Sequence, residues 1–452
     1  MSTRTARAAR RALALAATFA LTLAASGCAA EDEGSAWAKA HEPTVELPQL
    51  HGQKLQVAAV WTGNEQQNFR KVLDEFERRT GAKVEFVPTG DNVATYVGSK
   101  IEGGAPPDIV MMPQVGVLRQ FAQRGRLKPL GEQALAETKK NFSKGWRDLG
   151  SYEGTPYCIY YKAANKSLIW YNTTAFEDAG VGEAKTWKDF LRDARTLSDS
   201  GVDPVSIGGG DGWVLTDWFE NIYLSQAGPE KYDQLAEHRI KWTDPSVARA
   251  LRTFGQLLRE KHLLTGGNQG ALQTDFPKSV TQVFGDIAAP EGGLVFGADF
   301  AGINIEGDTK ARIGEDAQVY PFPEVDGPRP VVTAGDAACL LKQNKGAQAL
   351  ATYLASPDAA GIWAAEGGFV TPNKSLELSA YPNQPQREIA KALVGAGDDF
   401  RFDMSDQAPA AFGGTKGQGE WKALQDFLRK PSDVEGAQRA LEAAASKTYE
   451  KQ

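Results

Sequence analysis

The sequence predicts an α/β fold in which parallel-type sheets flanked by helices are divided between two lobes. Three observations carry this. Residues 54–130 alternate strand and helix patterns, which implies right-handed crossovers and a parallel sheet. The globular part runs to about 400 residues, more than the roughly 100–200 of one domain. From residue 150 the pattern changes to a long extended aromatic stretch, "YEGTPYCIYYKAANKSLIWYN" (152–172), of the kind that crosses between lobes.

The chain opens with Arg4, Arg7, Arg10 and Arg11, then an apolar run from Ala12 to Ala25 that ends at Ser26-Gly27-Cys28. A cationic start, an apolar middle and small residues at a cleavage point make a secretory signal. The run is shorter than the about 20 apolar residues that span a bilayer as a helix. A cysteine directly after Ala-Ser-Gly resembles the bacterial lipoprotein box, with Ala25 where that pattern prefers Leu. Residues 1–27 are therefore expected to be a lipoprotein signal peptide and Cys28 the lipidated residue. Ordinary secretion with an unmodified cysteine is the alternative. Residues 28–50, rich in Ala, Glu, Gly, Ser and Pro with no apolar period, predict a flexible tether.

"LQVAAVW" (55–61) is an apolar run of strand length. "QQNFRKVLDEFERRTG" (66–81) sets Phe69, Val72, Leu73 and Phe76 on one helix face and stops at Gly81. "KVEFV" (83–87) alternates as a strand, "VATYVGSKIEGG" reads as a weaker helix, "DIVMM" (108–112) as a third strand and "VGVLRQFAQRG" as another helix. Open parallel sheets bind ligands beyond the carboxyl ends of their strands. Those ends carry Trp61-Thr62-Gly63-Asn64-Glu65, Gly90-Asp91-Asn92 and Pro113-Gln114, each a turning or small residue with a hydrogen-bonding side chain. Trp61 is a platform for a ligand there or a core residue.

Further on, "TWKDFLRDARTL" (186–197) is helical with Trp187, Phe190, Leu191 and Leu197 inward. "SVARALRTFGQLLREK" (246–261) repeats the pattern through Val247, Leu251, Phe254 and Leu258. "GGLVFGADFAGINI" (292–305) reads as a Gly-bounded strand and turn, and "AQVYPFPEV" (317–325) with "PVVTAGDAACLL" (330–341) as another pair. Helices return in 347–368, 421–430 and 434–452. The expected first lobe is 51–160 plus about 310–355, and the second is 161–309 plus about 356–452.

The net charge is −7, and −11 once the four arginines of residues 1–27 are gone. An acidic body without a basic stripe argues against nucleic acid and anionic membrane surfaces. Four scattered His and two body cysteines make no metal spacing, so neither metal nor cofactor is expected. Cys158 and Cys339 face an oxidising compartment, where pairing and two free thiols are both open.

"SIGGGDGWVLTDWFENIYL" (206–224) puts Trp213 and Trp218 among Asp211, Asp217 and Glu220. Either the indoles are buried and the acids solvate a helix end, or the stretch meets a ligand with faces to stack and hydroxyls to bind, which describes a sugar. If a helix starts at Asp217, Trp218 and Ile222 share a face, and one indole is core. Asp91, Asp211, Asp299 and Asp336 sit where helix caps are common. Yet Asp accepting from paired sugar hydroxyls is the expected partner of a stacked ring. Trp146, Trp187 and Trp242 read as structural.

"VWTGNEQQNFRKVLDEFERRTG", "APPDIVMM", "KSLIWYN" followed by "TWKDF", "YPFPEV" and "LASPDAAGIWAAEGGFVTPNK" together resemble the extracellular solute-binding proteins of carbohydrate ABC importers. The resemblance covers residues 50 to 450 and is nearest to those assigned to α-glucosides. It implies a type II periplasmic-binding-protein fold: two α/β lobes joined by hinge strands, a ligand in the cleft and closure on binding. Residue by residue, it implies ligand contacts at Trp61 and Glu65 in the first loop and at Gln114 after the third strand. The segment Tyr160-Tyr161-Lys162 to Asn165-Lys166 matches the hinge. Phe300 stands where relatives often have a stacking tryptophan, which leaves a smaller platform, and Trp421 lies near another stacking position.

The function expected is capture of a neutral oligosaccharide, an α-glucoside, by a monomeric, lipid-anchored receptor on the extracytoplasmic face of the cell membrane, for delivery to ABC permease subunits. The enzyme alternative, a glycoside hydrolase, needs two acids about 5–10 Å apart, and the sequence has many acids. It has no G-x-S-x-G, H-E-x-x-H or phosphate loop. A carbohydrate-sensing adhesin is the third reading. The lipoprotein box, acidic body and hinge pattern favour the receptor.

Overall fold

A computed structural model describes residues 35–397 and 400–450. Its strands in chain order are β1 (Lys54–Ala59), β2 (Lys83–Pro88), β3 (Ile109–Met112), a small hairpin of β4 (Ser151–Tyr152) and β5 (Thr155–Pro156), β6 (Cys158–Asn165), β7 (Leu168–Asn172), β8 (Asp203–Ser206), β9 (Gly292–Phe296), β10 (Ala317–Pro321), β11 (Val332–Leu340) and β12 (Arg401–Phe402). The first lobe is built on a sheet of order β2-β1-β3-β11, with β6 along the other edge of β11 and β12 beside its start. The second is built on β10-β7-β9-β8.

β1 pairs in parallel with β2 and β3, as strand-helix-strand order requires. Val57, Ala58, Ala59 and Ile109 to Met112 are buried without alternation, the mark of strands covered on both faces. The helix Gly63–Thr80 between β1 and β2 buries Phe69, Val72, Leu73 and Phe76 and stops at Gly81, as its spacing predicts. Among the described residues no helix is long and apolar enough to cross a membrane.

Neither main sheet is purely parallel. β11 runs antiparallel to both β3 and β6. β6 carries the chain out of the first sheet and β11 brings it back, so the two neighbours must point in opposite directions. The stretches 317–325 and 330–341 therefore do not pair with each other. β10 pairs with β7 in the second sheet and β11 joins the first. The expected lobe limits shift accordingly: β10 belongs with the second sheet, all of β6 with the first, and the helix Pro357–Ala364 packs on the first lobe's helix Gly63–Thr80.

Cys158 and Cys339 face each other in the register of β6 and β11 and form a disulfide across a separation of 181 residues. It clips the outgoing strand to the returning one. By chain entropy alone a loop of that length is worth about 5 kcal/mol against the unfolded chain.

The expected tether is shorter than 28–50. Residues 28–34, Cys28 included, lie outside the described residues, but Ala36–Ala40 is a helix capped by Ser35. Trp37 stacks on His41, with ring centroids 3.6 Å apart, and rests on Gly361, where a Cβ would come within 2.1 Å of its indole nitrogen. Asp358 accepts from the Thr44 backbone N–H (2.9 Å), the Thr44 hydroxyl (2.6 Å) and Arg79 (2.8 Å). A polar stretch without apolar period docks here through one tryptophan and one carboxylate, features that periodicity does not register.

Candidate functional site

Beyond the carboxyl ends of β1, β2 and β3 lies a cavity of about 500 Å³ whose wall takes residues from both lobes and from the crossing strands. The three strand-end loops supply Trp61, Asn64 and Glu65, then Asp91, then Gln114. The crossing strands supply Lys162, Lys166 and Asp336, and the second lobe supplies Asp211, Trp213, Phe276 and Phe300. Asp308, Asp406 and Trp421 complete it. Two hollows of greater volume touch no strand end of the first sheet: one of about 740 Å³ has Trp187 as its one aromatic lining residue, and one of about 1010 Å³ has none.

The helix that follows "SIGGGDG" begins at Trp213, four residues before Asp217, behind Gly212 at φ 85°. A side chain on Gly212 would meet Trp421 Cβ at 2.8 Å, so this glycine lets the two tryptophan-bearing segments close on each other. Five residues on a helix turn about 140° away from the starting side chain. Trp213 consequently faces the cavity against Phe276 and Phe300, with ring centroids 5.1 and 6.0 Å away. Trp218 points into the second lobe, wholly buried against Phe254, Phe296 and Phe322. Asp211 accepts from the Phe276 backbone N–H at 2.8 Å and so holds that ring's helix on the wall.

Trp61 reaches the wall but is built in as core. It is 1% exposed, sits edge-on to Phe69 and Trp363 at 4.7 Å, and donates its indole N–H to Asp336 Oδ2 at 3.2 Å. Lys162 Nζ lies over the rings of Trp61, Phe300 and Trp363 at 5.7, 5.2 and 5.2 Å, and 2.5 Å from Glu65 Oε1. Burial alone would lower its pKa. The carboxylates of Glu65 and Asp336 outweigh that and raise it. Lys166 sits 5.4 Å over Trp213 and bonds Asp217 at 3.0 Å and Asp403 at 2.5 Å, with Asp406 at 3.9 Å. Burial, with the Glu65 charge, pushes the Asp336 carboxyl up to about 6, and burial with the Asp211 charge does the same to Asp91.

Four residues expected at the ligand lie off the wall. Trp218 is core for the helical reason given. The register of β6 against β11 slips between Asp336 and Ala337, leaving Tyr161 unpaired. That bulge resets the alternation, so Lys162 faces the cavity while Tyr160 packs on Trp146 and Phe402. Asn165 turns its side-chain oxygen to the Ser167 N–H (3.0 Å), and its own backbone N–H donates to Asp299 Oδ1 (2.6 Å). Asp299, 1% exposed and pushed up to about 7 by burial, thus ties the crossing strand to the loop of Phe300.

Phe276, Asn304, Asp308 and Asp406 also line the cavity, beyond the residues the sequence points to. Asn304 and Asp308 share a face of the helix Ala301–Asp308 that follows β9, and Asn64 donates to Asp308 at 2.9 Å. Extending the strand-end rule to β9 finds them. Asp406 follows a two-residue strand and has no such signal. Among the described residues no group of three His, Cys, Asp or Glu is placed to hold a metal ion. The wall instead combines aromatic side chains with carboxylates.

A family model for bacterial extracellular solute-binding proteins matches residues 62–361. An osmoprotective compounds-binding protein, GgtB, of Synechocystis is 32% identical over 380 residues, 82% of this chain and 88% of its own. An alpha-glucosides-binding periplasmic protein, AglE, of Rhizobium meliloti is 31% identical over 413 residues, 87% of this chain and 88% of its own. The solved structure of the bacterial solute receptor AcbH has a TM-score of 0.75 at 18% identity, covering 88% of this chain and 99% of that one. RafE in complex with raffinose has a TM-score of 0.72 at 15% identity, with the same coverage. At these identities the two structures establish likeness of fold.

Proposed function

This chain belongs to the bacterial extracellular solute-binding protein family, and from that premise we propose that it captures a neutral oligosaccharide, an α-glucoside, for an ABC importer. Lipid on Cys28 holds it at the extracytoplasmic face of the membrane, and a permease receives the sugar when the lobes reopen. One observation carries the reading: a cavity between hinge-linked lobes lined by Trp213, Phe300 and Trp421 together with Asp91, Asp211, Asp336 and Asp406. Stacking on such rings with charge-assisted bonds to hydroxyls is how a neutral sugar is held. The name of AglE supports α-glucosides. The name of GgtB, at equal similarity, refers to osmoprotective compounds, so these enter the test.

The Cys28→Ser protein is expected to leave the membrane fraction. It is then screened by thermal shift against maltose, trehalose, sucrose and glycine betaine, since a ligand at 100 times its Kd adds about 2.7 kcal/mol. At least one α-glucoside should raise the melting temperature and be recovered intact. A response to betaine alone would remove the oligosaccharide reading, and recovery of cleaved sugar would make the protein a hydrolase. A Cys28→Ser protein that stays with the membrane would remove the lipid anchor.

A further inference from the structure

The cavity wall is one-sided in charge. Glu65, Asp91, Asp211, Asp275, Asp308, Asp336 and Asp406 line it, against Lys162 and Lys166. Both lysines are already committed, Lys162 to Glu65 and Lys166 to Asp217 and Asp403. No lining cation is left for an anionic ligand among the described residues. Most of the acids have partners of their own: Asp336 accepts from Trp61, Asp308 from Asn64 and Asn304, Asp275 from the Lys278 N–H. Among the described residues the Asp91 side chain has no hydrogen-bond partner, and the strongest charges acting on it are those of Asp211, from the opposite lobe, and Lys416. Lys416 is half-exposed and lies 3.6 Å from Asp211, where water screens it. On the same wall, Gln114 Oε1 and Trp421 Nε1 are buried, their residues only 5% and 3% exposed, with nothing to bond among the described residues. A buried amide oxygen and indole N–H are not left empty without cost.

We infer that the cleft reads the charge of its glycoside: Asp91 and Asp211, from opposite lobes, bind a protonated amine on the sugar and turn away glycosides carrying a carboxylate. This rests on the glycoside reading of the cavity. Two like charges facing each other across a cleft favour whatever cation comes between them, and a third negative charge there has no counter-ion. Gln114 and Trp421 supply an acceptor and a donor that suit a neutral ring equally, so neutral glycosides are admitted as well.

Three probes that differ at one group test this by calorimetry on the Cys28→Ser chain at low salt: methyl α-glucoside, its 2-amino-2-deoxy analogue and its 6-carboxylate. The amine should bind about two- to fivefold more tightly than the neutral glycoside, the scale of a partly exposed ion pair. The carboxylate should bind at least about tenfold more weakly. Asp91→Asn should bring the amine-to-neutral affinity ratio to about one, whatever it does to neutral binding itself, and Lys416→Gln should enlarge that ratio. Equal binding of the carboxylate, or an amine advantage that survives Asp91→Asn, overturns the inference. So does silence of all three probes when maltose, trehalose or sucrose binds. If no glycoside of any charge binds, the reading beneath it fails instead.

Discussion

Trp213→Ala is expected to weaken sugar binding by about one to three orders of magnitude, the loss of an aromatic platform worth a few kcal/mol, with little change in melting temperature. Trp218→Ala is expected to do the reverse, losing about 3–5 kcal/mol of stability while the folded fraction binds almost normally. The two indoles are five residues apart and chemically identical, so only position separates them. Trp213 opens a helix at the edge of the cavity, partly exposed, against Phe276 and Phe300. Trp218 is fully buried among Trp187, Phe190, Phe254, Phe296 and Phe322, and a cavity in that cluster cannot refill without shifting five rings. Melting curves and calorimetry on both variants check the pair. A Trp213→Ala protein that binds sugar as the parent does would remove this indole from the ligand's wall.

Lys166→Met is expected to destabilise the protein by about 3–5 kcal/mol, because it strands buried carboxylates without their cation. Lys166 joins three segments: the first crossing strand, Asp217 on the second lobe's helix, and Asp403 with Asp406 after β12. Burial alone would raise the Asp403 carboxyl, but the Lys166 charge and hydrogen bond hold it below its ordinary value. In the parent, that group contributes stability above about pH 4, lost as acid protonates it. Without the lysine, burial, the largest influence, is opposed only by the hydrogen bonds from the Ser405 hydroxyl and the Asp406 N–H. The folded carboxyl then binds its proton more tightly than the unfolded one, and stability falls as pH rises past about 4. Urea unfolding should therefore show parent and variant converging in acid and separating toward neutrality. Adding Asp403→Asn should recover part of the loss. A Lys166→Met protein as stable as the parent at pH 7 would mean the cluster is already discharged.

Much of the first lobe is legible in the sequence because its signals are local. Phe69, Val72, Leu73 and Phe76 repeat at helical spacing, and three short apolar runs end in loops that do reach one cavity. What the sequence hides is partner choice. Nothing in "AQVYP" says that it pairs with β7 rather than with its neighbour in the chain. The bulge at Tyr161 that separates the facings of Tyr160 and Lys162 arises from pairing with β11, over 170 residues away. The sequence does not tell Trp213 from Trp218 because the helix begins at Trp213, capped by Gly212, rather than at Asp217, and a run of glycines conceals which one is the cap. Asp406 reaches the cavity only because β12 docks beside the start of β11, a contact of two residues that leaves no pattern.

The central claim is that a glycoside sits between the lobes, in the cavity beyond β1, β2 and β3, and is held rather than cleaved. A crystal structure grown with whichever of maltose, trehalose or sucrose most raises the melting temperature tests it directly. The sugar should appear intact, with one ring against Trp213 or Trp421 and hydroxyls bonded to at least one of Asp91, Asp211, Asp336 and Asp406. Density for that sugar in another hollow, with this cavity empty, would contradict the account.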